Sequence, residues 1–321
     1  MSKKFAIIGV AGYVAPRHLQ AIKETNNECV AALDVSDSVG ILDRYFPNSS
    51  FFTEFERFDR HLDKLRRNGN GIDFLTICSP NYLHDAHIRF GLRHKANVIC
   101  EKPLVLNPWN LEGLKEYEEE SNRKIFSILQ LRLHPSIIEL KQRVERAPAD
   151  KIFEIDLTYI TSRGNWYYSS WKGELPKSGG IATNIGIHFF DMLCWIFGAV
   201  EENIVHLHEH DRAAGFLKFN KAKVKWFLSI NQATLPEKIV EKGQRTFRSF
   251  TIDKQEIEFS KGFENLHIQS YKRIMNGDGF GLDASKNAIS LVHEIRNIIN
   301  QPCGKNCHEL VKLPLSNHPF Q

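Results

Sequence analysis

The sequence predicts two domains, an α/β domain with a parallel sheet followed by an α+β domain with an open, mostly antiparallel sheet. In the first half, short apolar runs alternate with helical patterns, which is typical of a parallel sheet wrapped by helices. From about residue 151, longer strands and hairpins replace that alternation. A length of 321 residues with 42% hydrophobic content allows two cores of ordinary size. We place the domains at 1–133 and 134–321.

In the first domain, we expect strands at about 4–9, 28–34, 72–78, 97–101 and 124–130. Between them, 83–95 and 107–122 carry apolar residues at spacings of three and four, so they are predicted to be amphipathic crossover helices. Such connections join strands that run in parallel.

In the second domain, 151–163 is predicted to be one long strand, and 215–231 and 248–260 are predicted to be antiparallel hairpins. The apolar stretch 180–198 indicates one buried helix, and 283–299 has a helical apolar face. The tail after Pro302 has no regular pattern.

Composition excludes several classes of protein. The net charge of +4 is mild and the basic residues are dispersed, so no nucleic-acid partner is expected. The apolar run before Gly9 is too short for a signal peptide, and no later run is long enough to span a membrane. The six cysteines are scattered, three of them in apolar strand-like runs, which favours a reducing cytoplasm.

The turn GVAGYVAPRH follows the first strand and precedes a helix. There, backbone amides at the helix N-terminus are expected to face a pyrophosphate, and the residues expected to bind the cofactor are Gly9, Ala11, Gly12, Tyr13 and Val14. The spacing Gly-x-x-Gly is one residue longer than usual, so a purely structural turn is the alternative. Asp34 ends the second strand, where a carboxylate accepts both ribose hydroxyls and repels a 2′-phosphate. Together these residues favour NAD over NADP and a Rossmann dinucleotide-binding domain.

Two further strand ends and one helix complete a set of motifs. They are CSPNYLH (78–84), VICEKPL (98–104) and NIGIHFFD (184–191). In this order and spacing, they resemble the Gfo/Idh/MocA oxidoreductases over nearly the whole chain. The resemblance implies an NAD-dependent dehydrogenase.

Lys102, at the end of a parallel strand, can hydrogen-bond a substrate hydroxyl and the cofactor together; its alternative role is an ion pair with Glu101. His188 lies where the resemblance places the family's acid/base residue, and imidazole suits that task near neutral pH. A core histidine is the alternative. Asn184 stands where many relatives carry aspartate, and it is expected to hydrogen-bond the substrate without titrating.

Other site residues are implied by the resemblance, although each could instead serve packing. The cofactor set is Ser79, Pro80, Asn81, His84, Glu101, Gln130, Trp171 and Lys172, in addition to Lys102 and the turn. The substrate set adds Arg163, Asn165 and Tyr167 to Lys102, Asn184 and His188. Arg163 is expected to be buried and to need an anionic partner.

The stretches GVAGYVAPRH, FFTEFE, CSPNYLH, TYITSRGNWY and TNIGIHFFDML resemble one branch of the family. That branch oxidises C3 of UDP-N-acetylglucosaminuronate (UDP-GlcNAcA) for surface polysaccharides such as O-antigen. The resemblance further implies reoxidation of NADH by 2-oxoglutarate and a homo-oligomer, either a dimer or a tetramer. A dehydrogenase of another sugar or polyol, or a non-catalytic NAD-binding regulatory protein, remains an alternative.

Two groups of metal-ligand residues are not expected to bind a metal. His206, His208 and His210 alternate along a strand and are predicted to lie on a solvated sheet face. Cys303, Cys307 and His308 have a spacing that fits no zinc module.

Overall fold

The computed structural model describes residues 2–257, 262 and 264–320. The chain divides into two compact units, one of residues 1–130 and 264–286 and the other of residues 131–263 and 287–321. This corrects the prediction that 134–321 is one continuous domain. Tyr271 and Ile274 pack in the apolar cluster around Phe5 of the first unit, which is why the chain returns there.

A parallel sheet forms the centre of the first unit, as predicted. Its described strands are β1 (Lys4–Ile8), β2 (Glu28–Leu33), β3 (Ser50–Phe52), β4 (Phe74–Ile77), β5 (Asn97–Cys100) and β6 (Ile125–Ser127). The spatial order is β3-β2-β1-β4-β5-β6, so the chain reverses direction across the sheet next to β1. Ligands bind at this switch point in open α/β sheets. The sequence did not predict β3, because three half-buried residues give no readable period.

Helices cover this sheet. They are α1 (Ala15–Glu24), α2 (Ile41–Tyr45), α3 (Phe55–Arg67), α4 (His84–Arg93) and α5 (Pro108–Ser121). The predicted crossover helices at 83–95 and 107–122 are confirmed as α4 and α5.

The second unit is built on a mixed sheet. Its described strands are β7 (Phe153–Thr161), β8 (Val200–His208), β9 (Arg212–Phe219), β10 (Ala222–Ser229), β11 (Thr246–Ile252) and β12 (Gln255–Glu256). They lie in the order β12-β11-β7-β10-β9-β8. β7 and β10 are parallel and the other described pairs are antiparallel, so the mostly antiparallel sheet is confirmed. The hairpin predicted at 215–231 is β9–β10. Of the hairpin predicted at 248–260, the last three residues lie outside the described ones.

The remaining helices are α6 (Pro135–Arg146), α7 (Leu175–Ser178), α8 (Gly180–Asn184), α9 (Ile187–Phe197), α10 (Glu237–Glu241), α11 (Leu266–Met275) and α12 (Leu282–Asn297). The single helix predicted at 180–198 is wrong, because Ile185 and Gly186 separate α8 from α9. A Cβ on Gly186 would lie 2.5 Å from the Ala182 carbonyl oxygen and 2.5 Å from a methyl carbon of Leu228. Glycine there lets the start of α9 approach β10 closely, at the cost of helix continuity.

Nine of the eleven residues of α9 are buried. Phe190 packs edge-on against Trp226 of β10, with ring centres 5.2 Å apart.

Among the described residues, no single helix has both the length and the hydropathy of a membrane span. The bent pair Leu175–Asn184 and Ile187–Phe197, with 51° between its halves, reaches those values only when taken together.

Gly9, directly after β1, should tolerate no side chain. Its φ is +86°, and a Cβ would lie 2.6 Å from the carbonyl carbon of Cys78. We expect Gly9→Ala to lower the free energy of unfolding by about 2–4 kcal/mol, from positive φ and steric overlap together. The control is Gly40→Ala, since a Cβ there meets nothing within 4 Å. Urea denaturation of both variants is the measurement, and a Gly9→Ala protein as stable as the control would contradict the close approach.

Candidate functional site

The carboxyl ends of four strands in the first unit are in register. The last strand residues pair in the row Leu33, Ile8, Ile77 and Cys100. The residues that follow them are Asp34, Gly9, Cys78 and Glu101. The glycine turn, the predicted ribose contact and the Glu-Lys-Pro segment therefore meet at one edge of the sheet.

The glycine turn is held by backbone hydrogen bonds. The Gly9 amide donates to the Leu33 carbonyl at 2.8 Å, and the Gly12 amide donates to the Gly9 carbonyl at 3.1 Å. Tyr13 is 90% exposed, and α1 begins at Ala15 with no acidic residue in its first turn. No carboxylate of α1 itself therefore lies at the positive end of the helix dipole, so that end can attract the anionic group of a ligand.

Asp34 has two roles in this loop. Its Oδ2 accepts a hydrogen bond from the Ala11 amide at 2.9 Å, and its Oδ1 accepts one from the Ser36 amide at 2.9 Å. Each carboxylate oxygen keeps a further lone pair for a ligand hydroxyl. The sequence predicted the ligand contact but not the bond to Ala11, by which Asp34 also fixes the turn.

We expect NAD to bind more tightly than NADP, because Asp34 would face the 2′-phosphate. Asp34→Asn removes the charge while keeping the shape, and should lower the ratio of NAD to NADP affinity by roughly tenfold or more, the effect of one charged hydrogen bond. Calorimetry with both dinucleotides is the measurement. Asp37→Asn, an exposed site three residues away, is the matched control. Equal dissociation constants for NAD and NADP in the unmodified protein would contradict this assignment.

A buried network orients the segment that contains Lys102. Glu101 Oε1 accepts hydrogen bonds from Nε2 of His18 at 3.0 Å and Nε2 of His267 at 3.1 Å, and Glu101 Oε2 accepts from the Lys102 amide at 3.2 Å. Burial acts to raise the pKa of Glu101, but the two histidine hydrogen bonds hold it well below its usual range. Burial lowers the pKa of His18, whose Nδ1 accepts from the Tyr271 hydroxyl at 2.9 Å. A neutral His18 ring thus donates to an ionised Glu101.

Lys102 is half-buried and precedes Pro103 through a cis peptide bond. Burial lowers the pKa of its amine, the Glu101 carboxylate opposes that shift, and the Arg17 charge adds to it. Among the described residues, no ion pair joins Lys102 to Glu101, whose oxygens contact the Lys102 backbone and the two histidines. The alternative role considered for Lys102, an ion pair with Glu101, therefore lacks support.

His84 ties two loops together. Its Nδ1 lies 2.7 Å from the Pro103 carbonyl oxygen and its Nε2 lies 2.9 Å from the Ser79 carbonyl oxygen. Burial lowers the pKa of His84, and these two backbone contacts oppose the shift. Both ring nitrogens are occupied, so His84 shapes the loop after β4. Asn81 is buried in that loop, and Pro80 is half-buried.

Gln130 lies three residues beyond β6, not at its end as predicted. Its Oε1 is buried, with no hydrogen-bond partner within the described ranges. A buried acceptor left unpaired costs about 1–3 kcal/mol, so a donor from a ligand is expected there. This observation supports the predicted cofactor contact.

In the second unit, the segment around α9 carries the predicted acid/base residue. His188 is half-buried in the first turn of α9. The Asn184 amide donates to the Tyr167 hydroxyl at 2.9 Å, and burial raises the pKa of Tyr167 against that hydrogen bond. Asp191, one turn beyond His188, forms a buried bidentate pair with Arg132 at 2.7 and 2.9 Å. This pair anchors α9, and no sequence pattern indicates Arg132 as the partner of Asp191.

The loop after β7 is more open than expected. Arg163 and Asn165 are exposed, so the prediction of a buried guanidinium is wrong, because the chain leaves the sheet at Thr161. Lys172 and Trp171 lie together, with the ammonium 4.4 Å from the ring centre. Arg163 and Lys172 thus give this unit two cationic side chains near the buried Tyr167.

The prediction that His206, His208 and His210 lie on one solvated sheet face is wrong, because β8 ends at His208 and none of the three side chains is fully exposed. His206, His208 and His210 are half-buried, and His210 contacts the Tyr168 hydroxyl at 3.1 Å through Nδ1. Cys303 and Cys307 form a disulfide, and His206 lies beside them. The two groups that were treated separately therefore meet in the fold.

Comparison with known proteins gives matches for both units. A family model described as "Oxidoreductase family, NAD-binding Rossmann fold" matches residues 3–128, and one described as "Oxidoreductase family, C-terminal alpha/beta domain" matches residues 141–240. The curated protein "Glucose-6-phosphate 3-dehydrogenase" of Bacillus subtilis is 24% identical over 204 residues, or 61% of this chain and 54% of that protein. A putative oxidoreductase of the same organism, YteT, is 24% identical over 56% of this chain and 42% of its own length. The matched segment thus spans about half the length of these curated relatives.

Two solved structures cover far more of the chain. The WlbA (WbpB) dehydrogenase of Thermus thermophilus, in complex with NAD and alpha-ketoglutarate, is 46% identical over 96% of this chain and 99% of that one, with a TM-score of 0.92. In complex with NAD and UDP-GlcNAcA, it is 44% identical over 100% of both chains, with a TM-score of 0.91.

Proposed function

This chain belongs to the Gfo/Idh/MocA oxidoreductase family, and from that premise we propose that it oxidises the C3 hydroxyl of UDP-GlcNAcA to the 3-keto sugar with NAD. The observation that carries the proposal is the similarity over the entire chain to the Thermus thermophilus dehydrogenase solved with NAD and UDP-GlcNAcA. The reaction would supply precursors of O-antigen or a similar surface polysaccharide.

The first unit has the groups that NAD requires. Gly9 lets the turn lie close against the backbone of Cys78, where a Cβ would overlap it. The amides of Gly9, Ala11 and Gly12 donate within the protein, so those of Tyr13 and Val14 at the α1 N-terminus are the ones that would bind a pyrophosphate. Asp34 accepts from a ribose, and the unpaired Gln130 Oε1 accepts from a donor such as a carboxamide. When bound, NAD supplies the acceptor for the C3 hydrogen and its electron pair.

The protein's own part in the reaction is to hold the sugar and move one proton. Lys102 donates a hydrogen bond to the C3 oxygen and stabilises the negative charge that develops there. An imidazole nitrogen of His188 accepts the proton of the C3 hydroxyl. Asn184 and Tyr167, already hydrogen-bonded to each other, orient sugar hydroxyls, and Arg163 binds an anionic group of the substrate.

We further propose that 2-oxoglutarate takes up the hydride removed from the sugar and the proton that His188 accepted, and leaves as 2-hydroxyglutarate, which restores the oxidised cofactor. The alpha-ketoglutarate in one of the Thermus thermophilus structures supports this step. Both substrates carry a carboxylate, and the positive charges of Lys102 and Arg163 attract carboxylates. A dimer or tetramer in the cytoplasm, without membrane or nucleic-acid partners, stays a prediction.

The test is to incubate the purified protein with UDP-GlcNAcA, with and without 2-oxoglutarate and with and without added NAD, and to follow products by mass spectrometry. We expect the 3-keto sugar and 2-hydroxyglutarate in equal amounts without added NAD. UDP-N-acetylglucosamine, which lacks the carboxylate, is the matched control and should react far more slowly. No keto sugar even with excess NAD would exclude the substrate, and keto sugar formation indifferent to 2-oxoglutarate would exclude only the recycling step.

A further inference from the structure

His206, Cys303 and Cys307 converge beside the edge strand β8, and we propose that they bind one Zn²⁺ ion when the two cysteines are reduced. Their ligand atoms, one imidazole nitrogen and two sulfurs, all lie within 4.8 Å of one another. This proposal is independent of the dehydrogenase chemistry. It revises the sequence interpretation, which treated the β8 histidines and the C-terminal cysteines as separate and expected no metal.

The fold brings these residues together through backbone pairing. The Gln301 amide donates to the Val205 carbonyl at 2.7 Å, so the chain after α12 lies along β8, the edge strand of its sheet. Cys303 and Cys307 follow directly in the chain and lie beside His206. The histidine and the cysteines are about 100 residues apart in the sequence, so the usual spacing patterns for zinc ligands do not reveal the site.

His206 is held in the tautomer that a metal needs. Its Nδ1 lies 3.2 Å from the Gln301 carbonyl oxygen, which can only accept, so Nδ1 carries the proton. Nε2 is then left with its lone pair, and it is buried without a hydrogen-bond partner within the described residues. A zinc-bound histidine characteristically donates its other N–H to a backbone carbonyl in this way.

The two cysteines are spaced for a shared ion. Their Cα atoms are 5.3 Å apart, four positions along the chain. Two thiolates on tetrahedral Zn²⁺, each at about 2.3 Å from the metal, lie roughly 3.8 Å from each other. Nitrogen and thiolate ligands suit zinc better than oxygen-preferring cations, and three protein ligands leave the fourth position to water.

In the structure, a disulfide joins the two sulfurs. Two thiols of a small reductant would supply two electrons and two protons, giving two cysteine thiols and one reductant disulfide. Zn²⁺ then replaces both thiol protons, which are released to solvent. Metal binding and disulfide formation therefore exclude each other at this site.

The neighbouring histidine His308 is not a ligand. Its Nε2 contacts the Thr158 hydroxyl at 3.0 Å, and its Nδ1 accepts from the Leu310 amide at 3.2 Å. The other convergent group, His18 with Glu101 and His267, is satisfied by its own hydrogen bonds. Of the two groups, only that of His206, Cys303 and Cys307 combines sulfur ligands with a buried nitrogen that has no hydrogen-bond partner among the described residues.

The experiment is zinc titration of the full-length protein after reduction with a phosphine and removal of metal by a chelator. We expect one Zn²⁺ per chain, and Co²⁺ in its place should give thiolate-to-cobalt charge-transfer bands. His206→Ala should weaken binding by about 100-fold or more, since changing even an outer partner of a ligand costs about 10- to 100-fold. Cys303→Ser and Cys307→Ser should each abolish the cobalt bands or shift them strongly.

His208→Ala, two residues along the same strand, is the matched control and should bind zinc as the unmodified protein does. Circular dichroism shows that each variant is folded before titration. The disulfide form should bind no zinc. The proposal is overturned if reduced protein binds no more zinc than the Cys303→Ser/Cys307→Ser double variant, or if the disulfide form binds equally well.

Discussion

Replacing Lys102 with methionine lowers the turnover of UDP-GlcNAcA by about 10³-fold or more, while NAD affinity and folding stay nearly unchanged. Methionine keeps the apolar part of the side chain but removes the ammonium group that stabilises charge on the C3 oxygen. The network of His18, His267 and Glu101 holds the Lys102 amide and stays intact in this variant. The loss should therefore appear in the rate of the chemical step.

Single-turnover rates of keto-sugar formation, with calorimetric NAD affinity, are the measurements for Lys102→Met. Lys115→Met, on the exposed face of α5, is the matched control and should keep full turnover. A Lys102→Met enzyme with most of its turnover would show that Lys102 does not act on the reacting oxygen.

Replacing His188 with alanine lowers turnover by about 10² to 10⁴-fold, the usual contribution of a positioned general base. The hydroxyl proton then passes to water instead of imidazole. The bidentate pair of Asp191 with Arg132 continues to anchor α9, so stability should change little.

Added imidazole separates the two roles considered for His188. It should restore part of the lost rate in His188→Ala, because a free base can occupy the vacated volume and accept the proton. A histidine that only filled the core would give a destabilised variant without rescue. Lower stability together with unchanged turnover per folded molecule would contradict the catalytic assignment.

The first unit could be predicted well because its signals are local. Each buried parallel strand gives a continuous apolar run, and each crossover helix gives a regular apolar face. The glycine turn and Asp34 then follow strand ends that the structure places in one row. Residues separated by 25 positions meet there because parallel strands bring their carboxyl ends to one edge.

The contacts that sequence reasoning missed are those between distant segments. His18 and His267 flank Glu101 from positions 83 and 166 residues away, and no period or motif links them. His206 meets Cys303 and Cys307 only because the C-terminal segment runs along β8. The break between α8 and α9 was missed for another reason, since the close approach of Leu228 to Gly186 is a tertiary constraint.

The central claim is that the hydrogen at C3 of UDP-GlcNAcA passes through the bound cofactor to 2-oxoglutarate. The direct measurement uses sugar with deuterium at C3, unlabelled 2-oxoglutarate and excess unlabelled NAD in solution, with mass spectrometry of both products. Sugar with deuterium at C1, which is not adjacent to the new ketone, is the control and should keep its label. We predict unlabelled 3-keto sugar and deuterium at C2 of 2-hydroxyglutarate, with none in the free dinucleotide. Deuterium retained in the sugar, with unlabelled 2-hydroxyglutarate, would contradict this account.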